Sequence, residues 1–162
     1  MELVEFTVTG ETTASAGEAF DRVVPRDDST LFLRYLVLPG VVGITDATGA
    51  WDTPGRRRTV HLSDGSSFRE EIVQFDRPGE QGPVGAFRYR ITGYTKLLAR
   101  LVSDAEADWY YEPSAGGSRI RWRYGFRPLR GRSFVVRWLI GPIWSSYMRR
   151  SMVRCVAVAE GA

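Results

Sequence analysis

Gly55–Val73 reads GRRRTVHLSDGSSFREEIV and holds the chain's one histidine, three consecutive arginines and two consecutive glutamates. These residue types could do acid–base chemistry. Imidazole titrates near neutral pH, a carboxylate raised by burial can act as a general base, and a guanidinium presents a rigid donor fork to a carbonyl, enolate or carboxylate. A Ser/His/Asp triad is not supported by the sequence around His61. One His, one Cys and scattered carboxylates also give no recognised metal-ligand spacing, so no metal or other cofactor is expected.

Which of these side chains can meet depends on how the stretch folds. Its alternation predicts a β-hairpin around Ser63-Asp64-Gly65-Ser66. A three-residue Asp64-Gly65-Ser66 loop places Leu62 opposite Phe68, Val60 opposite Glu70 and Arg58 opposite Ile72, with the apolar partners on one face. A two-residue loop would mix the faces. Gly65 is the residue that tolerates positive φ. In this register Arg58 and Glu70 lie on the otherwise apolar face, diagonal to each other and within reach of an ion pair. His61, Thr59, Arg69 and Glu71 fall on the opposite face, which removes the histidine from the expected chemistry. Arg58 and Glu70 either fix the sheet as an internal salt bridge or form the polar end of a site. In the second case Glu70 is the candidate catalytic base.

A larger sheet must carry this hairpin. Val4, Phe6 and Val8 alternate along Glu2–Thr9 as a first strand. Ser15-Ala16-Gly17-Glu18 has the capping-box pattern, so a helix follows with Phe20, Val23 and Val24 inward and Pro25 ending it. Asp28-Ser29 offers the N-cap of a second short helix carrying Leu31, Phe32 and Tyr35. From Trp51 to Phe126 the pattern is β, with a strand at Phe87–Thr92 and a pair at Ala105–Glu112 and Arg119–Arg127. Ser133 to about Glu160 reads as one long helix bent at Pro142, with Phe134, Trp138, Trp144, Tyr147, Met148, Met152 and Val156 inward. Leu97–Val102 is left as a rim or an edge strand.

Composition narrows the function classes. At 162 residues, with 43% hydrophobic and 25% charged residues, the chain fits one globular domain over residues 1–162. A formal charge of +3 is too mild to demand nucleic acid. The Arg119–Arg127 strand alternates arginines with aromatics, but in a strand this sends Ile120, Trp122, Tyr124 and Phe126 inward and the arginines outward. If Trp109 faces Trp122, then Asp108 opposes Arg123 and Glu112 opposes Arg119, neutralising much of the stripe. Nucleic-acid binding is therefore not expected. Cys155, the only cysteine, excludes an internal disulfide, and the N-terminal residues lack a secretory pattern, so a cytoplasmic setting is expected. The apolar tract Phe134–Met148 falls short of a bilayer span. Arg137, Arg149, Arg150 and Arg154 allow at most a transient contact with an acidic membrane.

The order of elements is α+β. Leu38-Pro39-Gly40-Val41-Val42, Trp51, Gly55, Arg58–Gly65, Glu70, Phe87–Thr92 and Gly117–Trp122 follow one another in an order and spacing that resembles the helix-grip proteins of the START/Bet v 1-like (SRPBCC) superfamily. The branch it resembles is that of the polyketide cyclases/dehydrases and lipid-transport proteins, over nearly the whole chain. The resemblance implies a curved antiparallel sheet of about seven strands around the long C-terminal helix, with two short helices after the first strand. It also implies an internal cavity for a hydrophobic small molecule such as a lipid, polyketide or aromatic metabolite. In that cavity Arg58 and Glu70 are the expected polar contacts. Trp51, Phe68, Tyr89 and Trp109 are expected wall residues, as are Trp122, Tyr124, Trp138 and Trp144. Relatives include both carriers and enzymes. The same cavity could thus serve cofactor-independent polyketide cyclisation or dehydration, while a filled core with an Arg-rich outer sheet would make the chain a protein-interaction module. Ligand identity and oligomeric state stay open.

Overall fold

A computed structural model describes residues 2–162. Seven strands, β1 (Val4–Thr12), β2 (Val41–Thr45), β3 (Arg57–Leu62), β4 (Ser67–Asp76), β5 (Gly85–Thr92), β6 (Val102–Ser114) and β7 (Gly117–Pro128), form one antiparallel sheet. Its order is β1-β7-β6-β5-β4-β3-β2, so the first strand closes beside the last while β2 to β7 run as a meander. Two short helices, α1 (Ala16–Val23) and α2 (Asp28–Leu31), separate β1 from β2. The C-terminal helix begins as a short turn, α3 (Ser133–Val135), passes through a π-helical turn at Val136–Ile140 and continues as α4 (Gly141–Ala159). The curled sheet wraps this helix in an α+β arrangement.

Local sequence explains much of this. In β7 Ile120, Trp122, Tyr124 and Phe126 are buried while Arg119 and Arg121 are exposed, the alternation a half-buried strand requires. Trp109 pairs with Trp122, Asp108 with Arg123 and Glu112 with Arg119, as expected from the sequence. Ser15 caps α1 by accepting from the Glu18 backbone N–H while the Glu18 carboxylate accepts from the Ser15 N–H, a complete capping box. Gly10 lets α4 lie close on β1. A Cβ there would sit 2.7 Å from Val156 Cγ2 and 2.9 Å from Met152 Cγ.

Four expectations need correction. The second sheet strand, Val41–Thr45, precedes the region read as β, because it is short and largely unburied. The N-cap of α2 is Asp27, whose side chain accepts from Ser29 N at 2.9 Å, and the helix ends at Leu31, before Phe32 and Tyr35. The hairpin loop is Ser63-Asp64-Gly65, one residue earlier than expected, with Leu62 N donating to Ser66 O and Gly65 N to Leu62 O. Gly65 has φ +81°, the left-handed conformation expected of it. The cross-strand pairs are consequently Val60–Phe68 and Arg58–Glu70. The pairing moves by two residues, so every side chain keeps its expected face.

The fourth correction concerns the C-terminal helix. The helix runs on through Pro142, which has no N–H to donate to the helical residues before it. The irregularity is the preceding π turn, in which Gly141 N donates to Val136 O. This i→i−5 bond inserts one residue into the helical register. Val136 therefore comes over the core at 1% exposure, while Phe134 and Trp138 turn outward at 68% and 62%. Farther along, Tyr147, Met148 and Met152 are buried as expected, and Val156 packs at the core's margin.

Candidate functional site

The opposed strands β3 and β4 place two charged side chains under the sheet's concave face. Arg58 Nε donates to Glu70 Oε2 at 2.7 Å, and Arg58 Nη2 donates to Asp28 Oδ2 at 2.5 Å. All three side chains are largely buried. The Trp51 ring, from the β2–β3 connection, lies against the guanidinium with the Arg58 Cζ 4.1 Å from the ring centroid, a cation–π contact. One cation is thus held between two carboxylates and an aromatic face.

Burial raises the Glu70 carboxyl to about 7, with Arg58 opposing and Asp28 adding to the rise. Burial likewise raises Asp28, against the pull of Arg58. For Arg58 burial works against the charge, but Glu70 and Asp28 outweigh it and keep the guanidinium protonated. Both carboxyls thus hold a proton more tightly than an exposed carboxylate would, and the raised titration belongs to the Glu70–Asp28 pair around Arg58.

This cluster lies on the wall of a partly open cavity of about 370 Å³. The β-strands contribute Phe68, Tyr89 and Trp109, and then Trp122 and Tyr124, while Trp144 and Tyr147 approach from α4. Trp109 and Trp122 stack with centroids 4.6 Å apart, and Phe32 packs against both. Four polar tips are already engaged. Trp109 Nε1 donates to Tyr89 Oη at 3.3 Å, and the Tyr94 and Tyr124 hydroxyls lie 2.7 Å apart in a hydrogen bond. Burial pushes the Tyr89, Tyr94 and Tyr124 hydroxyls up, so all three remain neutral.

Of the ten binding positions expected from the sequence, nine line this cavity: Arg58, Glu70 and Trp51, then Phe68, Tyr89 and Trp109, and lastly Trp122, Tyr124 and Trp144. Trp138 does not, because the π turn rotates it to the surface. Asp28 was not foreseen as a site residue. Its role depends on Arg58, 30 residues away, and its only local signal was that of a helix cap. Phe32 and Tyr147, expected from the sequence only as helix residues and not as binding positions, also line the cavity, as does Tyr94, which lies outside any alternating pattern.

His61 is not among the cavity residues, and its Nε2 is 2.6 Å from Thr45 Oγ1 in a hydrogen bond on the outer face. Several arginines of the outer sheet are tied to protein groups. Arg123 pairs with Asp108 and Glu5, Arg119 with Glu11, and Arg121 lies over the Tyr110 ring. Glu11, not the facing Glu112, takes Arg119, because β1 closes beside β7. Two of the cations expected near a membrane are likewise engaged: Arg154 donates to Leu31 O, and Arg150 stacks on Tyr35.

The fold is shared with solved structures. Ara h 8.0201 matches at 16% identity with a TM-score of 0.61, covering 96% of this chain and 99% of that one. A Chromobacterium violaceum protein matches at 11% identity and a TM-score of 0.65, with 98% of each chain covered. An uncharacterised protein from Bacillus thuringiensis matches at 14% identity and 0.61, covering 94% and 99%. At such identities the likeness establishes the helix-grip fold alone. No curated protein matches the sequence. The family model described as polyketide cyclase / dehydrase and lipid transport matches residues 4–160, and the chain belongs to that family, within the SRPBCC superfamily.

Proposed function

We propose that the protein binds a hydrophobic small molecule with a neutral polar tip in the cavity between the sheet and the C-terminal helix. The observation that carries this reading is the aromatic-walled space of about 370 Å³ with the buried Arg58–Glu70–Asp28 cluster on its wall. Its size falls within the ordinary range for small-molecule sites, and such a space argues against a filled core. Flat indole and phenol faces suit a polycyclic or acyl body. The cluster sets the tip. Arg58 is already bound by Glu70 and Asp28, so an incoming carboxylate meets two carboxyl groups for one cation. A hydroxyl, phenol or ketone can exchange hydrogen bonds with the cluster without adding charge. This reading is narrower than the sequence-based expectation, in which Arg58 could also serve a ligand carboxylate.

Calorimetric titration with 2-naphthol and with 2-naphthoate at pH 8 tests this, since the two share a ring system and differ in the charged tip. The neutral phenol is expected to bind at least tenfold more tightly. Equal affinity, or preference for the carboxylate, would overturn the assignment of the tip. Absence of binding by either, together with native mass spectra of the purified protein free of any apolar adduct, would overturn the cavity reading.

A second reading is favoured by one feature, the Glu70 carboxyl brought to about 7 on the cavity wall. A base poised near the working pH suits proton abstraction from a polyketide-like substrate, and folding a flexible chain within the cavity would supply orientation. Loss of turnover in Glu70→Gln with ligand affinity retained would establish an enzyme. Retained turnover would remove Glu70 from catalysis.

A further inference from the structure

The cavity's open end can be located from which lining residues stay exposed. Val37 lies in the segment before β2, and Lys96 and Leu97 lie in the β5–β6 connection. The start of the C-terminal helix adjoins them, because Ile140 and Trp144 line the same cavity and Leu129 N donates to Leu101 O at 2.9 Å. Three segments, residues 33–40, 94–101 and 129–140, therefore border the entrance.

These segments have an unusual surface. Eight of the twelve large apolar side chains exposed among the described residues belong to them, most prominently Leu36, Val37, Leu97, Phe134, Trp138 and Leu139. A concentration of this kind marks an interaction surface. All of their charged residues are cations: Arg34, Lys96, Arg100, Arg130, Arg132 and Arg137, each exposed. The nearby carboxylate is Asp64 at the β3–β4 turn, beside Lys96. The π turn contributes directly, since it is what directs Phe134 and Trp138 outward.

We propose that this apolar, cationic rim docks the open end of the cavity onto an anionic phospholipid bilayer. Exposed Trp, Phe and Leu enter the interface between headgroups and acyl chains, while the arginines meet the anionic headgroups. Each cation near such a surface strengthens binding roughly fivefold at moderate salt, and the gain is lost as salt screens it. No helix of the described chain is long and apolar enough to cross a membrane, so the contact is peripheral. An acidic protein partner fits the cations but leaves the wedge of Phe134, Trp138 and Leu139 without an equally general counterpart. This inference rests on the rim alone and survives failure of the ligand reading.

Cosedimentation with sucrose-loaded vesicles tests it, using phosphatidylcholine alone and phosphatidylcholine with one third phosphatidylglycerol. The wild-type chain is expected to sediment with the anionic vesicles at low salt, to bind neutral vesicles at least tenfold less, and to dissociate as salt rises. The variant Phe134→Ser/Trp138→Ser and the variant Arg130→Glu/Arg132→Glu/Arg137→Glu should each lose at least tenfold in affinity. Val153→Ser, which removes an exposed apolar group from outside the rim, should bind as the wild type does. Each variant is read only if its melting transition is intact, and the charge reversal decides alone if the apolar pair fails to fold. Wild-type chain left in the supernatant with anionic vesicles would overturn the proposal, as would variants that bind undiminished. A wild-type dimer that Phe134→Ser/Trp138→Ser converts to monomer would overturn it too, because the rim would then be an interface between copies.

Discussion

Arg58 stands directly opposite Glu70 across β3 and β4, with its Nε 2.7 Å from Glu70 Oε2 and its other edge on Asp28. The cluster lies on the cavity wall, so it both ties β3 to β4 and α2 and faces the pocket. Buried ion pairs stabilise little in themselves, because desolvation offsets most of the attraction. Their removal in halves is what costs, and this makes the cluster accessible to experiment.

Arg58→Met should leave two buried carboxyl groups without a cation and destabilise the fold by about 3–5 kcal/mol at pH 8. At pH 5 the orphaned groups can take protons, so the deficit should shrink. Urea unfolding at the two pH values measures it. An equal deficit at both would mean that lost packing on Trp51, not uncompensated charge, dominates.

The pH dependence has a definite sign. Burial raises the Glu70 carboxyl from 4.5 in its ordinary state to about 7 in the fold. A raised acid binds its proton more tightly when folded, so its contribution is fully present below about 4.5 and is lost as pH climbs through about 7. Glu70→Gln removes that titration. Its stability relative to the wild type should rise across this window, by up to about 3 kcal/mol, and then level off. Melting curves of the two proteins from pH 4 to pH 8 give the difference. A relative stability that stays flat, or falls, would place the Glu70 carboxyl at or below its ordinary value.

The sequence made the faces legible more readily than the contacts. Strand alternation assigned Arg58 and Glu70 to the inner face although the hairpin loop was placed a residue late, because a two-residue shift preserves parity. Alternation also separated Trp122 and Tyr124 from the arginines between them. Asp28 was illegible, because a short polar helix start looks the same with or without a guanidinium above it. Trp138 was misplaced for a different reason. Helical periodicity carries a register only through unbroken i→i−4 bonds, and nothing in VVRWLIGP announces a π turn.

Two cavity tryptophans should respond differently to the same substitution. Trp109 Nε1 donates to Tyr89 Oη, whereas Trp144 Nε1 is buried without an acceptor among the described residues. Trp144→Phe loses ring area but also removes an unsatisfied donor, and the two effects should cancel to within about 1 kcal/mol. Trp109→Phe loses a hydrogen bond as well as its stacking on Trp122, and should cost about 1–3 kcal/mol more. Chemical denaturation of both variants compares them directly. Equal costs would mean that the Trp144 indole has found an acceptor in solution.

Gly10 tests how closely the helix must approach the sheet. A methyl group at this position in β1 would lie 2.7 Å from Val156 Cγ2 and 2.9 Å from Met152 Cγ, well inside van der Waals contact. The Val156 methyl is attached to a branched, stiff side chain, so relief requires α4 to lift from β1. Gly10→Ala should therefore cost about 1–3 kcal/mol, despite the usual gain from replacing glycine in a strand. Because α4 also carries Trp144 and Tyr147 into the cavity, the same displacement should alter 2-naphthol affinity. Pairing the change with Val156→Ala removes the obstructing methyl groups. The double variant should recover much of the stability lost by Gly10→Ala, giving a favourable coupling in a double-mutant cycle. Additive losses would show instead that the strand accommodates the methyl group without moving the helix.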